Sequence, residues 1–288
     1  MIYKIYMELL WLFPKKIAHK IYYKKITGKK LDLKNPDGLN EKIHYLIINY
    51  YGKEEAKLTD KFLVKKYIEE KNISDLNIPK TYFTIENTNI DKANYPEKFI
   101  LKCNHGSGDV FICKNKDEFD FEEAIKKLLI IKKKNFAKKL LEYHYKYIKP
   151  VIMCEELLED ETNERLIDYK FFCYNGKVDC VMVCTDRGND IKKDFFDIEW
   201  KHLNYGLKKE YSNKKIKKPK NLKRMFEIAG ELSIGHPFVR VDLYEVNNKI
   251  YFGELTFTPA AGLSKAYSKI GNKHLGKLLD IKKLPQKK

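Results

Sequence analysis

Residues 239–262, VRVDLYEVNNKIYFGELTFTPAAG, set an acidic side chain on each arm of a β-hairpin, and no other stretch narrows the choice of fold so far. Val239 to Val246 alternates apolar with polar residues, Asn247 and Asn248 tolerate the left-handed backbone of a tight turn, and Lys249 to Phe257 is again rich in β-formers. Register then decides the chemistry, because side chains alternate between faces with a period of two. A two-residue loop at Asn247-Asn248 would set Asp242 opposite Gly253 and send Glu254 to the other face. A three-residue loop, Asn247-Asn248-Lys249, pairs Asp242 with Glu254 and Arg240 with Thr256, and leaves Val239, Val241, Leu243, Leu255 and Phe257 on the opposite face. This second register sorts polar from apolar completely and is the one expected. Like charges directly opposite each other destabilise a sheet unless a cation lies between them. Mg²⁺ suits the role, since it takes oxygen ligands, one or two of them commonly carboxylates, and fills its other positions with water and phosphate. An exposed hairpin with scattered charges is the plainer alternative.

Further landmarks lie upstream. Lys98 to Lys102 reads as a strand ending in a lysine, followed by Asn104-His105-Gly106-Ser107-Gly108 and a second apolar run, Val110 to Cys113. Such glycines let backbone N–H groups close over phosphate oxygens, and an adjacent lysine supplies a point charge. The loop lacks the Gly-Lys-Ser/Thr ending of a P-loop and the third glycine of a dinucleotide site, and Ser107 has no Gly-x-Ser-x-Gly elbow around it. An ordinary turn with a solvated His105 remains open. Val151 to Cys154 is an apolar strand running into Glu155-Glu156-Leu157-Leu158. Asp60-Lys61 opens a helical stretch reaching Lys71, and Asp168 to Lys177 reads as strand, Asn-Gly turn and strand, with Lys170 on the first arm. Singly, Lys61, Glu155 and Lys170 read equally well as a helix-start charge, a solvated strand end and a surface lysine.

Together these motifs resemble a known family. Arg240-x-Asp242, then Glu254-x-Thr256 and Pro259, is similar to the carboxy-terminal signature of ATP-grasp ligases such as D-alanine:D-alanine ligase and the ribosomal-protein glutamate ligases. Thr256 stands where that signature has Asn, and Pro259-Ala260-Ala261-Gly262 replaces Pro-Gly. Leu39-Asn-Glu-Lys42, Leu101 to Gly108, Asp168 to Phe172, Asn175-Gly-Lys177, Asp186-Arg187, Phe238 to Tyr244 and Gly253 to Pro259 look like the TupA-like ATP-grasp family, associated with bacterial capsule and cell-wall polysaccharide clusters. The likeness runs from about Leu39 to Leu279. It implies an α+β fold in which two lobes with antiparallel sheets clasp ATP, divided as a helical segment 1–38, a helical region 39–97, a small lobe 98–155 and a large lobe 156–288. It also implies an ATP- and Mg²⁺-dependent ligase that joins a carboxylate to an amine through an acyl phosphate. Asp242, Glu254 and Thr256 would hold the metal. Lys61, Lys102, His105, Gly106, Ser107 and Gly108 would position phosphates, while Glu155, Glu156 and Leu158 would receive adenine and ribose. Lys170, Arg187 and Arg240 would act on the reacting groups. The substrates implied are an amine and a small-molecule or saccharide carboxylate, such as a uronic acid or amino acid of an envelope polysaccharide. A glycosyltransferase holding a metal-nucleotide sugar through Asp242 and Glu254 is the alternative, although its usual Asp-x-Asp motif is missing.

The net charge of +17 raises the question of nucleic acid. Only Arg165, Arg187, Arg224 and Arg240 are arginines, however, and nucleic-acid recognition favours the two-pronged guanidinium. The lysine excess therefore reads as solvated surface, and a non-catalytic anion binder is kept only as an alternative. Where lysine is the default cation, Arg187 and Arg240 gain weight as planar contacts for phosphate or carboxylate. Six cysteines without a C-x-x-C pair read as buried thiols of a cytoplasmic protein. Residues 1–30 are too short and too charged to span a bilayer. They fit either helices packed on the domain or an interfacial helix touching the inner membrane. Other helices are expected over 40–50, 58–71, 121–149 and 222–232.

Overall fold

The structure, a computed structural model, describes residues 2–85, 92–106, 108–161, 166–185 and 191–284. Five helices lead: α1 (Ile2–Trp11), α2 (Lys15–Thr27), α3 (Leu39–Asn49), α4 (Lys53–Thr59) and α5 (Val64–Glu70). Pro14 parts the first two, since its ring has no N–H to continue the ladder. Asp60 parts the last two: its Oδ1 accepts the backbone N–H groups of Phe62 at 2.9 Å and Leu63 at 3.1 Å, an alternative to the helical bonds. The helix expected over 58–71 therefore begins only at Val64, and Lys61 sits in the intervening turn.

Among the described residues, eleven strands form two sheets. β1 (Leu76–Asn77) and β2 (Thr81–Ile85) diverge after Pro79 into different sheets. β2 joins β3 (Phe99–Cys103), β4 (Val110–Cys113) and β5 (Ile152–Glu156) in an antiparallel sheet of order β2-β5-β3-β4. Between β4 and β5 the single helix expected over 121–149 is broken into α6 (Phe121–Lys132), α7 (Phe136–Leu140) and a 3₁₀ turn, Tyr143–Tyr147. Asn135 caps α7 by accepting from Lys138 N–H at 3.1 Å, and Leu141 ends it in the left-handed conformation at φ 59°. Phe99, Leu101, Phe121, Leu128, Ile152 and Cys154 form this lobe's core.

The larger sheet has the order β1-β11-β10-β6-β7-β8-β9. It is built from β6 (Asp168–Tyr174), β7 (Lys177–Thr185), β8 (Lys192–Phe196), β9 (His202–Leu203), β10 (Val239–Val246) and β11 (Lys249–Thr256), with β1 parallel to β11 at the edge. One face is covered by α8 (Leu222–Ser233), whose Leu222, Met225, Phe226, Ala229 and Leu232 recur at helical spacing. Phe226 meets Phe171 edge-on at 5.1 Å, and Phe171 pairs with Val241, which fixes the apolar face of β6 and β10 against this helix. Burying each such side chain contributes roughly 1.5–3 kcal/mol, so a one-residue slip is strongly disfavoured. Arg240, Asp242 and Lys170 are thereby held on the other face. The large-lobe core extends to Leu39, Ile43, Leu46 and Ile47 of α3 and to Met7, Leu10, Ala18 and Tyr22. A last helix, α9 (Lys269–Lys277), packs on α3.

The hairpin reaches the expected pairing by another route. Val246 pairs with Lys249, so the loop has two residues, and Asn247 (φ 49°) and Asn248 (φ 63°) are both left-handed, as a type I′ turn requires. The three-residue loop is not formed. Instead a bulge at Gly253 shifts the register between Leu243–Phe252 and Asp242–Glu254, restoring Asp242 opposite Glu254 and Arg240 opposite Thr256. A Cβ on Gly253 would lie 2.8 Å from the Asp242 carbonyl oxygen and 3.0 Å from the Tyr244 ring. Gly253→Val is therefore expected to cost about 1–3 kcal/mol, read as a lower denaturant midpoint, with loss of the carboxylate pairing. An unchanged midpoint would mean that the bulge has room for a side chain.

Candidate functional site

Three neighbouring strands carry a row of charges. Lys170 on β6 pairs with Asp242 on β10, which pairs with Glu254 on β11. The Lys170 ammonium donates to Asp242 Oδ2 and lies 3.7 Å from Asp168. Arg240, two residues along β10 and on the same face, grips Asp242 with both prongs, Nε to Oδ1 and Nη2 to Oδ2, each at 2.7 Å. The same Nη2 donates to Glu254 Oε1 at 3.2 Å and Thr256 Oγ1 at 3.0 Å, and the Thr256 hydroxyl donates to Glu254 at 2.9 Å. Burial alone would raise the Glu254 carboxyl. Lys61, Lys170 and Arg240, with the Thr256 hydroxyl, outweigh it and hold the group well below the usual carboxylate range.

Lys61 joins this row to the other lobe. Its ammonium donates to the Gly106 carbonyl at 2.9 Å and lies 3.2 Å from Glu254 Oε2, while its backbone N–H donates to Asn104 O at 3.0 Å. Asp60 and Asn104 brace the junction, with Asn104 Nδ2 donating to Asp60 Oδ2 at 2.8 Å and to Lys149 O at 3.0 Å, and Val151 N–H donating to Asn104 Oδ1 at 2.8 Å. Gly106 needs to be glycine: its φ is +82° and a Cβ would sit 2.3 Å from the Phe136 ring. Gly108, at φ +91°, borders open space. His105 is buried edge-on against Phe136, with ring centroids 4.7 Å apart, so it supports the loop from behind and is not the solvated histidine of a plain turn. Ser107 and Arg187 lie outside the described residues.

On the small sheet Lys102 donates to Glu155 Oε1, and Lys65 reaches Glu155 Oε2 at 2.6 Å. Both Glu155 oxygens are thus engaged by ammonium groups, which places this carboxylate as a clamp on two lysines and not as a solvated strand end. Glu156 Oε2 accepts from Lys80 N–H at 3.0 Å, and the half-buried Leu158 follows the end of β5. Lys65 was not singled out from the sequence. Its signal was the Lys61-x-x-x-Lys65 spacing after Asp60, hidden among so many lysines. Glu142 was also missed: fully buried, it accepts from the Thr258 hydroxyl at 2.5 Å, just beyond the hairpin, and burial pushes its carboxyl up to about 7 despite that bond and Lys139.

A cleft of about 570 Å³ opens beside Arg240 and Lys170, walled by Asp168, Lys193, Tyr267 and the segment after the hairpin. That segment, Pro259–Gly262, turns through three successive left-handed residues, Ala260 (φ 50°), Ala261 (φ 53°) and Gly262 (φ 72°). A left-handed alanine costs roughly 1–2 kcal/mol, so Ala260 and Ala261 hold this turn at a conformational cost that glycine would not carry. Asp242, Glu254 and Thr256 fit Mg²⁺ by their chemistry, since all offer oxygen and one Arg240 nitrogen already touches all three side chains. Among the described residues no group of three or more His, Cys, Asp or Glu is gathered for a metal.

Two antiparallel-stranded lobes, a glycine loop tied by lysine to a carboxylate hairpin, and a cleft beside an arginine define the ATP-grasp class of fold. The TupA-like ATP-grasp family model matches residues 41–280, and the chain belongs to that family. Among solved structures, D-alanine–D-alanine ligase from Bacillus anthracis complexed with ATP is 16% identical, with 84% of this chain and 71% of that chain covered and a TM-score of 0.43. VanG D-Ala:D-Ser ligase from Enterococcus faecalis is 15% identical over 79% of this chain and 61% of its own, with a TM-score of 0.46. No curated protein matches significantly.

The raised Glu142 carboxyl sets a pH dependence. The unfolded chain releases this proton in the ordinary carboxylate range while the fold retains it to about pH 7, so the group's contribution is complete at low pH and is lost as pH rises through that window. Glu142→Gln is expected to flatten the fall in melting temperature between pH 5 and 8. A fall as steep as in the native chain would show that Glu142 is already ionised.

Proposed function

We propose that this protein is an ATP- and Mg²⁺-dependent ligase that joins a carboxylate to an amine through an acyl phosphate, and that the carboxylate belongs to a saccharide or amino-acid precursor of a bacterial envelope polysaccharide. The observation that carries the reading is the Lys170–Asp242–Glu254 row, bridged by Arg240 and tied through Lys61 to Gly106 of the glycine loop. The family supports the ligase chemistry, and a cytoplasmic setting is part of the proposal because ATP is available there. The lysine-rich surface, in a chain with only four arginines, argues against a nucleic-acid partner.

In this reading Lys61, Lys65 and Lys102 receive phosphate oxygens, with Glu155 aiming two of the three ammonium groups. Asp242, Glu254 and Thr256 would hold Mg²⁺, which offsets charge on the phosphates when bound. The substrate carboxylate, oriented in the cleft by Lys170 and Arg240, attacks the γ-phosphorus; the bond to the β-phosphate oxygen breaks and ADP leaves. The amine then attacks the acyl carbon, the carbon–oxygen bond to phosphate breaks, and phosphate departs as the nitrogen gives a proton to solvent. Arg240 faces the oxyanion of that step, where a preorganised fork acts without rearranging. Hydroxylamine tests the intermediate: with ATP, Mg²⁺ and a uronic or amino-acid carboxylate, a hydroxamate and ADP are expected in equal amounts. Transfer from a nucleotide sugar without ATP consumption would favour the glycosyltransferase alternative instead.

Two substitutions separate binding from catalysis. Lys102→Met, which keeps the apolar stem but leaves buried Glu155 with Lys65 alone, is expected to weaken ATP binding and to lower the melting temperature while the fold is kept; unaltered affinity would remove Lys102 from the phosphates. Arg240→Lys is expected to lower kcat and kcat/KM together by about 10²- to 10³-fold with ATP affinity nearly retained. An equal loss of ATP affinity would place Arg240 on the nucleotide.

A further inference from the structure

The first two helices bury one face and expose another of the same character. Met7, Leu10, Ala18 and Tyr22 lie in the large core, and Trp11 stacks on Tyr143 at 4.8 Å, so the helical pair is anchored. On the outer side Ile5, Leu9, Leu12, Phe13, Ile17 and Ile21 are all exposed, Leu9 by 55% and Leu12 by 79%. Ile5 and Leu9 lie four apart on α1 and Ile17 and Ile21 four apart on α2, with exposed Leu12 and Phe13 in the turn between. Lys16, Lys20 and Lys24, also four apart and exposed, border this apolar face. The first thirty residues carry eight lysines and a single acidic residue, Glu8, which is itself neutralised by Lys138 at 2.5 Å.

We infer that this face docks on an anionic lipid surface, with the leucine, isoleucine and phenylalanine side chains in the acyl boundary and the lysine border against acidic headgroups. Apolar residues of this number need an apolar phase, and the charges beside them select its surface. A second copy of this chain would bring two lysine borders together. Anionic lipid offers the opposite charge along the whole face, and its fluid interior accepts side chains spread over two helices. No described helix is long and apolar enough to cross a membrane, and the contact inferred is of these two helices lying on the lipid surface. None of the residues of this face is among those placed in the ligase chemistry, and the docking stands or falls independently of that chemistry.

Sedimentation of the full chain with phosphatidylcholine vesicles, alone and mixed with phosphatidylglycerol, tests the inference. Binding only to the mixed vesicles is expected, weakened by added salt. The pair Leu9→Glu and Phe13→Glu, and separately the triple Lys16→Glu, Lys20→Glu and Lys24→Glu, are each expected to reduce partitioning tenfold or more with the melting temperature kept. The triple leaves every apolar side chain in place, so it decides the matter if the first variant folds poorly. Native protein left in the supernatant, a lysine variant that sediments as the native chain does, or a native dimer that the variants dissociate, would overturn the inference.

Discussion

Two carboxylates set side by side on a sheet repel each other, and the site is organised around answering that repulsion. Asp242 and Glu254 are opposed by the pairing of β10 with β11, and three cations reach them from three separate places: Lys170 from the next strand, Arg240 from the same strand, and Lys61 from the turn between α4 and α5. Asp242 is buried and depends on Lys170 and Arg240 together, so losing either leaves it underpaired, while the part-exposed Glu254 shares Lys61 and Arg240. The lobes are therefore coupled electrostatically at the place where a nucleotide would enter. Lys61 is the pivot, because its one ammonium group touches both the glycine loop and the hairpin.

Sequence made the charged row legible because alternation with a period of two is a strong signal. It sorts Arg240, Asp242, Glu254 and Thr256 from Val239, Val241, Leu243, Leu255 and Phe257. The loop length was misjudged for a physical reason. Complete sorting can be achieved by a longer turn or by a bulge, and Gly253 achieves it by the second route while Asn247 and Asn248 keep the two-residue turn that their left-handed tolerance favours. A glycine inside a strand was the available sign.

Helix boundaries were less readable where a polar side chain competes with the backbone. Asp60 and Asn135 each capture N–H groups and interrupt stretches whose apolar spacing alone looked continuous. Lys65, Glu142 and the clamping role of Glu155 depend on contacts between residues distant in sequence, and a chain with lysine nearly everywhere gives no local contrast by which to find them. The resemblance marks 1–38 and 39–97 as helical regions, whereas residues 76–85 also supply β1 and β2 to different sheets and α3 lies in the large-lobe core. Composition reports the surface, whereas domain membership is settled by what is buried.

The oxygen set on the hairpin bears most directly on whether this face serves a metal-bound nucleotide. Calorimetric titration of ATP with Mg²⁺ and with EDTA, on the native chain and on Glu254→Gln, isolates it. The native chain is expected to bind ATP at least tenfold more tightly with Mg²⁺ than with EDTA, and the variant, which keeps the shape and loses the charge, is expected to show the same weak affinity in both. An undiminished Mg²⁺ effect in Glu254→Gln would contradict the assignment and return the charged row to a purely structural role.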